Sequence, residues 1–185
     1  MEKGSWAVCH DLASAYYQGE LHPDVRPYYG VKIAGKEYVA TRMVMGGVPF
    51  AEVCDFALKA LAHNTADVTT LTHIDNLRYV GTEKEVVAAN EQFLITAAEA
   101  GVTLNQEECN TPHRAGVFCG VNYDVESGTV HLTEKMCKKI GEAAADSLSH
   151  TITNERVFVI FGLLIWASAV PCIDTITQSS SSVAE

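Results

Sequence analysis

The sequence predicts an α+β fold, an antiparallel sheet with helices packed on one face. Two observations carry this. Apolar residues recur at helical spacing in long stretches, and around those stretches short β-prone runs pair across turn signals. Composition agrees: 185 residues, 48 % hydrophobic and 19 % charged, suffice for a buried core and exclude a disordered or fibrous chain.

The elements follow in order. Residues 6–10 form a short β-prone run that ends directly on Asp11, and residues 12–20 read as a turn or short helix. Residues 28–33 and 37–43 are extended, and Ala34, Gly35 and Lys36 between them signal a hairpin turn. Gly46, Gly47, Val48 and Pro49 break the pattern. They open a helix over residues 50–63 with apolar Phe50, Val53, Phe56, Ala57, Leu58 and Leu61. A helix opened in this way presents free backbone N–H groups at its start. Residues 68–80 hold two β-prone arms around Asp75 and Asn76, residue types that tolerate the left-handed backbone of a tight hairpin turn. Residues 83–100 predict an amphipathic helix with Val86, Val87, Phe93, Leu94 and Ala97 on one side, Thr82 as N-cap and Gly101 beyond its end. Strands are predicted over 102–104, 117–121 and 129–132. A helix from Thr133 to about residue 148 and a last one capped by Asn154 complete the order. The polar tail, residues 178–185, is expected to be disordered.

The formal charge is −10, from 13 Lys+Arg against 23 Asp+Glu. Proteins that grip nucleic acid through phosphates carry a basic stripe, so the acidic total argues against tight, unaided binding. Of the six cysteines, Cys9, Cys54, Cys109, Cys119, Cys137 and Cys172, none forms a C-x-x-C pair. Most sit in apolar surroundings, which reads as small core residues in a reducing, intracellular compartment rather than a zinc site. Residues 1–6 lack the apolar segment of a signal peptide. Residues 157–173 are strongly apolar but contain Ser168 and Pro171 and fall short of the roughly 20 residues of a membrane span; a buried helix is expected.

Two acidic residues occupy places that suit metal chemistry. Phosphoryl transfer by two divalent ions roughly 3.5–4 Å apart needs hard carboxylate oxygens. One Asp at a strand end and another at the tip of a neighbouring hairpin can supply them; Asp11 and Asp75 are candidates for those places.

The words around them resemble a known family. Asp11-Leu12-Ala13-Ser14-Ala15-Tyr16-Tyr17-Gln18, continuing through Leu21-His22-Pro23, resembles the first catalytic motif of reverse transcriptases, D-L-x-x-A-Y-x-Q. Met43-Val44-Met45-Gly46-Gly47-Val48-Pro49-Phe50 resembles the next motif, and Thr72-His73-Ile74-Asp75-Asn76 falls where those enzymes have Y-x-D-D. Gly101-Val102-Thr103-Leu104-Asn105 through Cys109 resembles G-L-x-L-N-x-x-K-C, and Phe118-Cys119-Gly120 resembles the primer-grip hairpin. Phe161-Gly162-Leu163-Leu164 is similar to the apolar helix that follows. The likeness covers nearly the whole chain in the right order and is greatest to DIRS-type, gypsy-type and hepadnavirus-like enzymes.

The resemblance implies a polymerase palm over residues 1–150, with incomplete fingers, an apolar connection or thumb-like helix over 151–177, and a short or absent thumb. It implies RNA-directed DNA synthesis on an RNA/DNA primer–template with deoxynucleoside triphosphates and Mg²⁺ or Mn²⁺. Asp11 and Asp75 would be the catalytic, metal-binding carboxylates, and Leu12 would offer its carbonyl to a metal. Tyr16 would block a ribose 2′ hydroxyl, and Met45 and Gly46 would lie under the incoming nucleotide and template base. For Gln18, packing is the expected role.

Three positions depart from the pattern. Asn76 replaces the second Asp and brings no charge. His73 replaces the Tyr that helps position the primer end. Glu108 stands where a Lys is thought to protonate the leaving pyrophosphate; with a reference pKa of about 4.3 a carboxylate is a poor acid at neutral pH. A fragment or degenerate copy that extends primers little or not at all by itself is therefore expected, with a protein partner supplying fingers or thumb. The alternative is a non-catalytic, reverse-transcriptase-derived domain that binds a protein or nucleic acid. No membrane association is expected, and the location is cytoplasmic or nuclear.

Overall fold

Strand β1 (Trp6–Asp11) is buried along its middle four residues, with only its two ends half-exposed. The computed structural model describes residues 5–47, 49–63, 67–106, 111–147 and 153–168. The expectations placed on Val48, Glu108, Cys109, Cys172, the connection beyond Ser168 and the tail at 178–185 lie outside these residues. After β1, Ser14 takes a left-handed backbone, φ 52°, that turns the chain into the single-turn helix α1 (Ala15–Gln18). A 3₁₀ turn at Arg26–Tyr28 leads into the exposed hairpin of β2 (Gly30–Ile33) and β3 (Lys36–Val39). Its loop is the two residues Ala34 and Gly35, both left-handed at φ 49° and 79°, so Lys36 belongs to the strand and pairs with Ile33. The twist of paired strands favours this two-residue mirror-image turn over the three-residue one that the sequence predicts. The strand also ends at Val39, short of residue 43; beyond it Arg42 bridges Glu20 and the Met43 N–H donates to Gly19 O at 3.0 Å.

Helix α2 (Phe50–Leu61) buries Phe50, Cys54 and Leu58. Val53 and Phe56, predicted on its apolar face, point outward. At about 100° per residue, Phe56 lies about 240° round from Phe50. Strands β4 (Thr69–His73) and β5 (Asn76–Gly81) join β1 in an antiparallel sheet of order β1-β5-β4, with Val8 opposite Tyr79 and Asp11 opposite Asn76. The predicted hairpin forms, but its two-residue loop is Ile74-Asp75 rather than Asp75-Asn76.

Helix α3 (Glu83–Glu99) starts with a reciprocal cap. The Glu85 N–H donates to Thr82 Oγ1, and the Thr82 N–H donates to Glu85 Oε2. Hydrogen bonding from the Thr82 side chain, and then from its backbone N–H, holds the Glu85 carboxyl below the usual range. Gly101 follows the helix at φ 69°, as predicted. Val86, Ala89, Phe93 and Ala97 of α3 share one core with Val8, Leu77 and Tyr79 of the sheet and Cys54 and Leu58 of α2. Val87 and Leu94, predicted on the same side, are partly exposed. Tyr79 is fully buried and satisfies its hydroxyl by donating to Ala62 O at 2.9 Å. The face of the sheet that carries Val8 and Tyr79 is thus covered by helices, as the α+β reading requires.

The chain divides into two compact units, with the elements above in Ser5–His113. The other unit, from Arg114 onward, holds a meander of β6 (Ala115–Phe118), β7 (Val121–Asp124) and β8 (Thr129–Leu132). The single strand predicted over 117–121 is instead bent at Cys119 and Gly120, φ 49° and 80°. Helix α4 (Glu134–Ser147) follows, its Met136 N–H donating to Thr133 Oγ1 at 3.3 Å. Helix α5 (Asn154–Ser168) is capped one residue earlier than predicted, by Thr153 Oγ1 accepting from the Arg156 N–H at 3.3 Å. Arg156 also pairs with Asp146 of α4. Among its described residues, the expected buried helix is buried at Ile160 and Ala167, whereas Phe158, Phe161 and Ile165 face outward. Among the described residues, no helix is long and apolar enough to cross a membrane. Of the four described cysteines, Cys9 and Cys54 are buried and Cys137 is exposed.

Candidate active site

The end of β1 and the β4–β5 hairpin meet at one edge of the sheet. Asp11 is the last residue of β1 and lies opposite Asn76, while Asp75 occupies the hairpin loop one residue before. The Leu12 N–H donates to the Asp75 carbonyl at 3.0 Å, so the two acidic residues are held on adjacent backbones. Both are half-buried. The hairpin that carries Asp75 turns through Ile74 at φ 56°. A β-branched residue is rarely found there, and such strain is kept where the surroundings over-determine it. His73, Asn76 and Asp11 form one cross-strand row, on the sheet face opposite Val8, Leu77 and Tyr79.

A segment distant in sequence closes the site. Leu104 bridges Leu12, the Ala13 N–H donates to Thr103 O at 3.0 Å, and the Asn105 N–H donates to Asp11 O at 2.8 Å. The strand predicted over 102–104 is this single bridge. Gln18 locks it with three hydrogen bonds: Nε2 donates to Ala13 O at 2.6 Å and Thr103 O at 2.8 Å, and Oε1 accepts from the Thr103 N–H at 2.8 Å. Its amide acts as one more peptide unit, a polar role beside the packing expected of it. Side-chain amides then reach both carboxylates. Asn76 Nδ2 donates to Asp75 Oδ1 at 2.9 Å, and Asn105 Nδ2 donates to Asp11 Oδ2 at 3.3 Å. The negative charge of Asp75 is felt by Cys54, whose thiol is pushed up first by burial and then by that carboxylate.

The other sequence-predicted site residues are placed as follows. Leu12 is buried between the two segments. Tyr16 is partly buried against the core. Met45 is 70 % exposed, and Gly46 sits beside it at φ 87° with open space where a Cβ would be. The structure gathers Asp11, Leu12, Asp75 and Asn76. It adds Asn105, to which sequence reasoning assigned no role; its place in the G-L-x-L-N-x-x-K-C word was the available signal.

Among the described residues, no group of three or more His, Cys, Asp and Glu side chains gathers as a metal site. Two carboxylates on adjacent backbones nevertheless suit a magnesium-type ion. Such ions are held through one or two carboxylates with waters and substrate phosphates completing the shell.

No protein-family model matches the chain, and no curated protein matches it. Solved structures do. The chain is similar to a foamy viral protease–reverse transcriptase dRH in complex with double-stranded DNA, at 17 % identity over 90 % of this chain with a TM-score of 0.68. It is similar to a foamy viral protease–reverse transcriptase with double-stranded DNA, at 18 % identity over 100 % of this chain with a TM-score of 0.66. It is also similar to one with an RNA/DNA hybrid, at 17 % identity over 90 % of this chain with a TM-score of 0.67. The chain spans 28 %, 38 % and 22 % of those three chains. At this identity the likeness defines the architecture: the chain has a reverse-transcriptase-like fold of the α+β class.

Proposed function

We propose that the chain is the palm of an RNA-directed DNA polymerase of a DIRS-, gypsy- or hepadnavirus-like retroelement, acting in the cytoplasm or nucleus. The observation that carries this reading is the meeting of Asp11 and Asp75 at one sheet edge, on backbones joined by the Leu12 N–H. The divalent ions Mg²⁺ or Mn²⁺ would supply charge stabilisation for transfer of a nucleotidyl group to a primer 3′ hydroxyl. Asp11 and Asp75 would hold them, with the Leu12 carbonyl as a further oxygen ligand. Tyr16, Met45 and Gly46 would contact the deoxynucleoside triphosphate, and the duplex partner would be an RNA/DNA primer–template.

The departures set the expected rate. Asn76 has no charge to offer, and Glu108 stands at the motif position where the resemblance implies a Lys that protonates the leaving pyrophosphate. Loss of one transition-state donor costs about 10²–10³ in rate. Primer extension on a defined RNA template with Mg²⁺ or Mn²⁺ is the test. The chain alone is expected to extend little or nothing. Addition of a fingers-containing partner is expected to support extension, Glu108→Lys to raise it and Asp75→Ala to abolish it. Robust extension by the isolated chain, lost in Asp75→Ala, would show that the departures matter less than argued; extension surviving Asp75→Ala would remove the site.

A second reading rests on a different observation. Phe158, Phe161 and Ile165 of α5 face outward, and the net charge is −10. A non-catalytic, reverse-transcriptase-derived domain that docks on a protein fits both, and it is favoured if no partner restores extension.

A further inference from the structure

We infer that Asn76 and Asn105 are positioning residues that hold the Asp75 and Asp11 carboxylates for a divalent cation by donating one side-chain amide to each. The inference rests on the palm reading above and deepens it.

A divalent ion is held through the carboxylate oxygens. Each carboxylate has two, and a free Asp side chain at a half-exposed sheet edge rotates between them. Here each carboxylate accepts from a side-chain amide: Asp75 Oδ1 from Asn76 Nδ2 at 2.9 Å, and Asp11 Oδ2 from Asn105 Nδ2 at 3.3 Å. The Asn105 amide is itself held, because its backbone N–H donates to Asp11 O at 2.8 Å and its neighbour Leu104 bridges Leu12. Asn76 is held by its register, opposite Asp11 on one side and His73 on the other. Each donor therefore sits on a backbone fixed relative to the carboxylate that it orients. A hydrogen bond to a ligating carboxylate fixes its rotamer, the role that outer-shell partners play in metal sites.

This gives Asn76 a different meaning from a lost ligand. An Asp at 76 could accept but not donate, and would set two like charges side by side at the hairpin. The neutral amide relieves that repulsion and spends its donor on Asp75. The same chemistry, drawn from a segment 94 residues away in sequence, serves Asp11.

The experiment is a Mn²⁺ titration of the full chain followed by electron paramagnetic resonance, with amide ¹H–¹⁵N spectra confirming the fold of every variant. Asp11→Asn and Asp75→Asn test the site itself and are expected to abolish binding. Asn76→Ala and Asn105→Ala are each expected to weaken Mn²⁺ about tenfold, the effect typical of removing an outer-shell partner. Their manganese spectra should also broaden as the carboxylates gain freedom. Should the alanine variants fail to fold, Asn105→Leu keeps the volume and the backbone N–H but not the side-chain donor, and the same tenfold loss is expected. Asn105→Gln, which keeps a donor, should recover most of the affinity. If the Asp variants abolish binding while Asn76→Ala and Asn105→Ala, or Asn105→Leu in place of an unfolded alanine variant, bind Mn²⁺ as the wild type does, the positioning role is wrong and the dicarboxylate site stands. If Mn²⁺ does not bind, or binds equally well without Asp11 and Asp75, the palm reading of the site fails and takes this inference with it.

Discussion

Asp75 reaches the site because the tightest point of its hairpin falls on Ile74 rather than on Asp75 itself. That choice leaves Asp75 with an ordinary backbone and its carbonyl aimed at the Leu12 N–H. On the other side of β1, His10 shows what the core costs. It is 3 % exposed, its Nε2 lies 2.6 Å from Asn90 Oδ1, its ring rests on Phe93 at 4.9 Å, and its Nδ1 is buried without a hydrogen-bond partner among the described residues. Burial pulls its pKa below the ordinary value, a shift the Asn90 hydrogen bond only partly offsets. The groups described around the ring, Asn90, Phe93 and cross-strand Leu77, carry no charge to hold a proton there. His10 is therefore neutral in the folded chain near pH 7 and charged in the unfolded chain below about pH 6.5. In that window the unfolded state binds more protons, so stability is full above it and falls as pH drops through the folded pKa. Thermal unfolding measured from pH 7.5 to 5 is expected to show a midpoint that falls with acidification, and a smaller fall in His10→Phe. Equal pH slopes in the two proteins would contradict the assignment.

Elements show where sequence and structure part. The α3 cap is local: Thr82 and Glu85 stand three residues apart, and Thr82→Ala should cost about 1 kcal/mol. The β2–β3 turn is local too, but it holds Ala34 at φ 49°, a conformation that costs an L-residue about 1–2 kcal/mol. Ala34→Gly is expected to raise the unfolding midpoint by a few degrees while Thr82→Ala lowers it, read side by side by calorimetry. A fall in Ala34→Gly would show that the lost side chain or the freedom gained in the unfolded chain outweighs the strain. The α3 cap, the presence of the β2–β3 hairpin, the α+β class and the helix expected over 50–63, which ends at Leu61, were legible because 3.6- and 2-residue periods and turn chemistry act over a few residues. The β4–β5 loop was misplaced by one residue because Asp75 and Asn76 have the better turn chemistry and tertiary pairing with β1 overrode it. Asp11 and Asp75 could be named from motif words. The reach of Asn105 to Asp11 could not, since it depends on a bridge between segments more than 90 residues apart.

At the scale of the molecule, a reverse-transcriptase-like fold carries a net charge of −10, and the side-chain amides that reach its two carboxylates, from Asn76 and Asn105, are neutral. Attraction to phosphate must then come from bound cations or from a partner, which makes cation binding at Asp11 and Asp75 the claim on which the functional account stands. Iron-directed cleavage tests it in the intact chain. Fe²⁺ occupies magnesium-type sites, and with ascorbate and peroxide it generates hydroxyl radicals that cut the backbone beside the ion. Cuts are expected next to Asp11, next to Asp75 and near Asn105, suppressed by excess Mg²⁺ and absent from Asp75→Ala. Cleavage confined to other segments, or cuts that persist unchanged in Asp75→Ala, would contradict it.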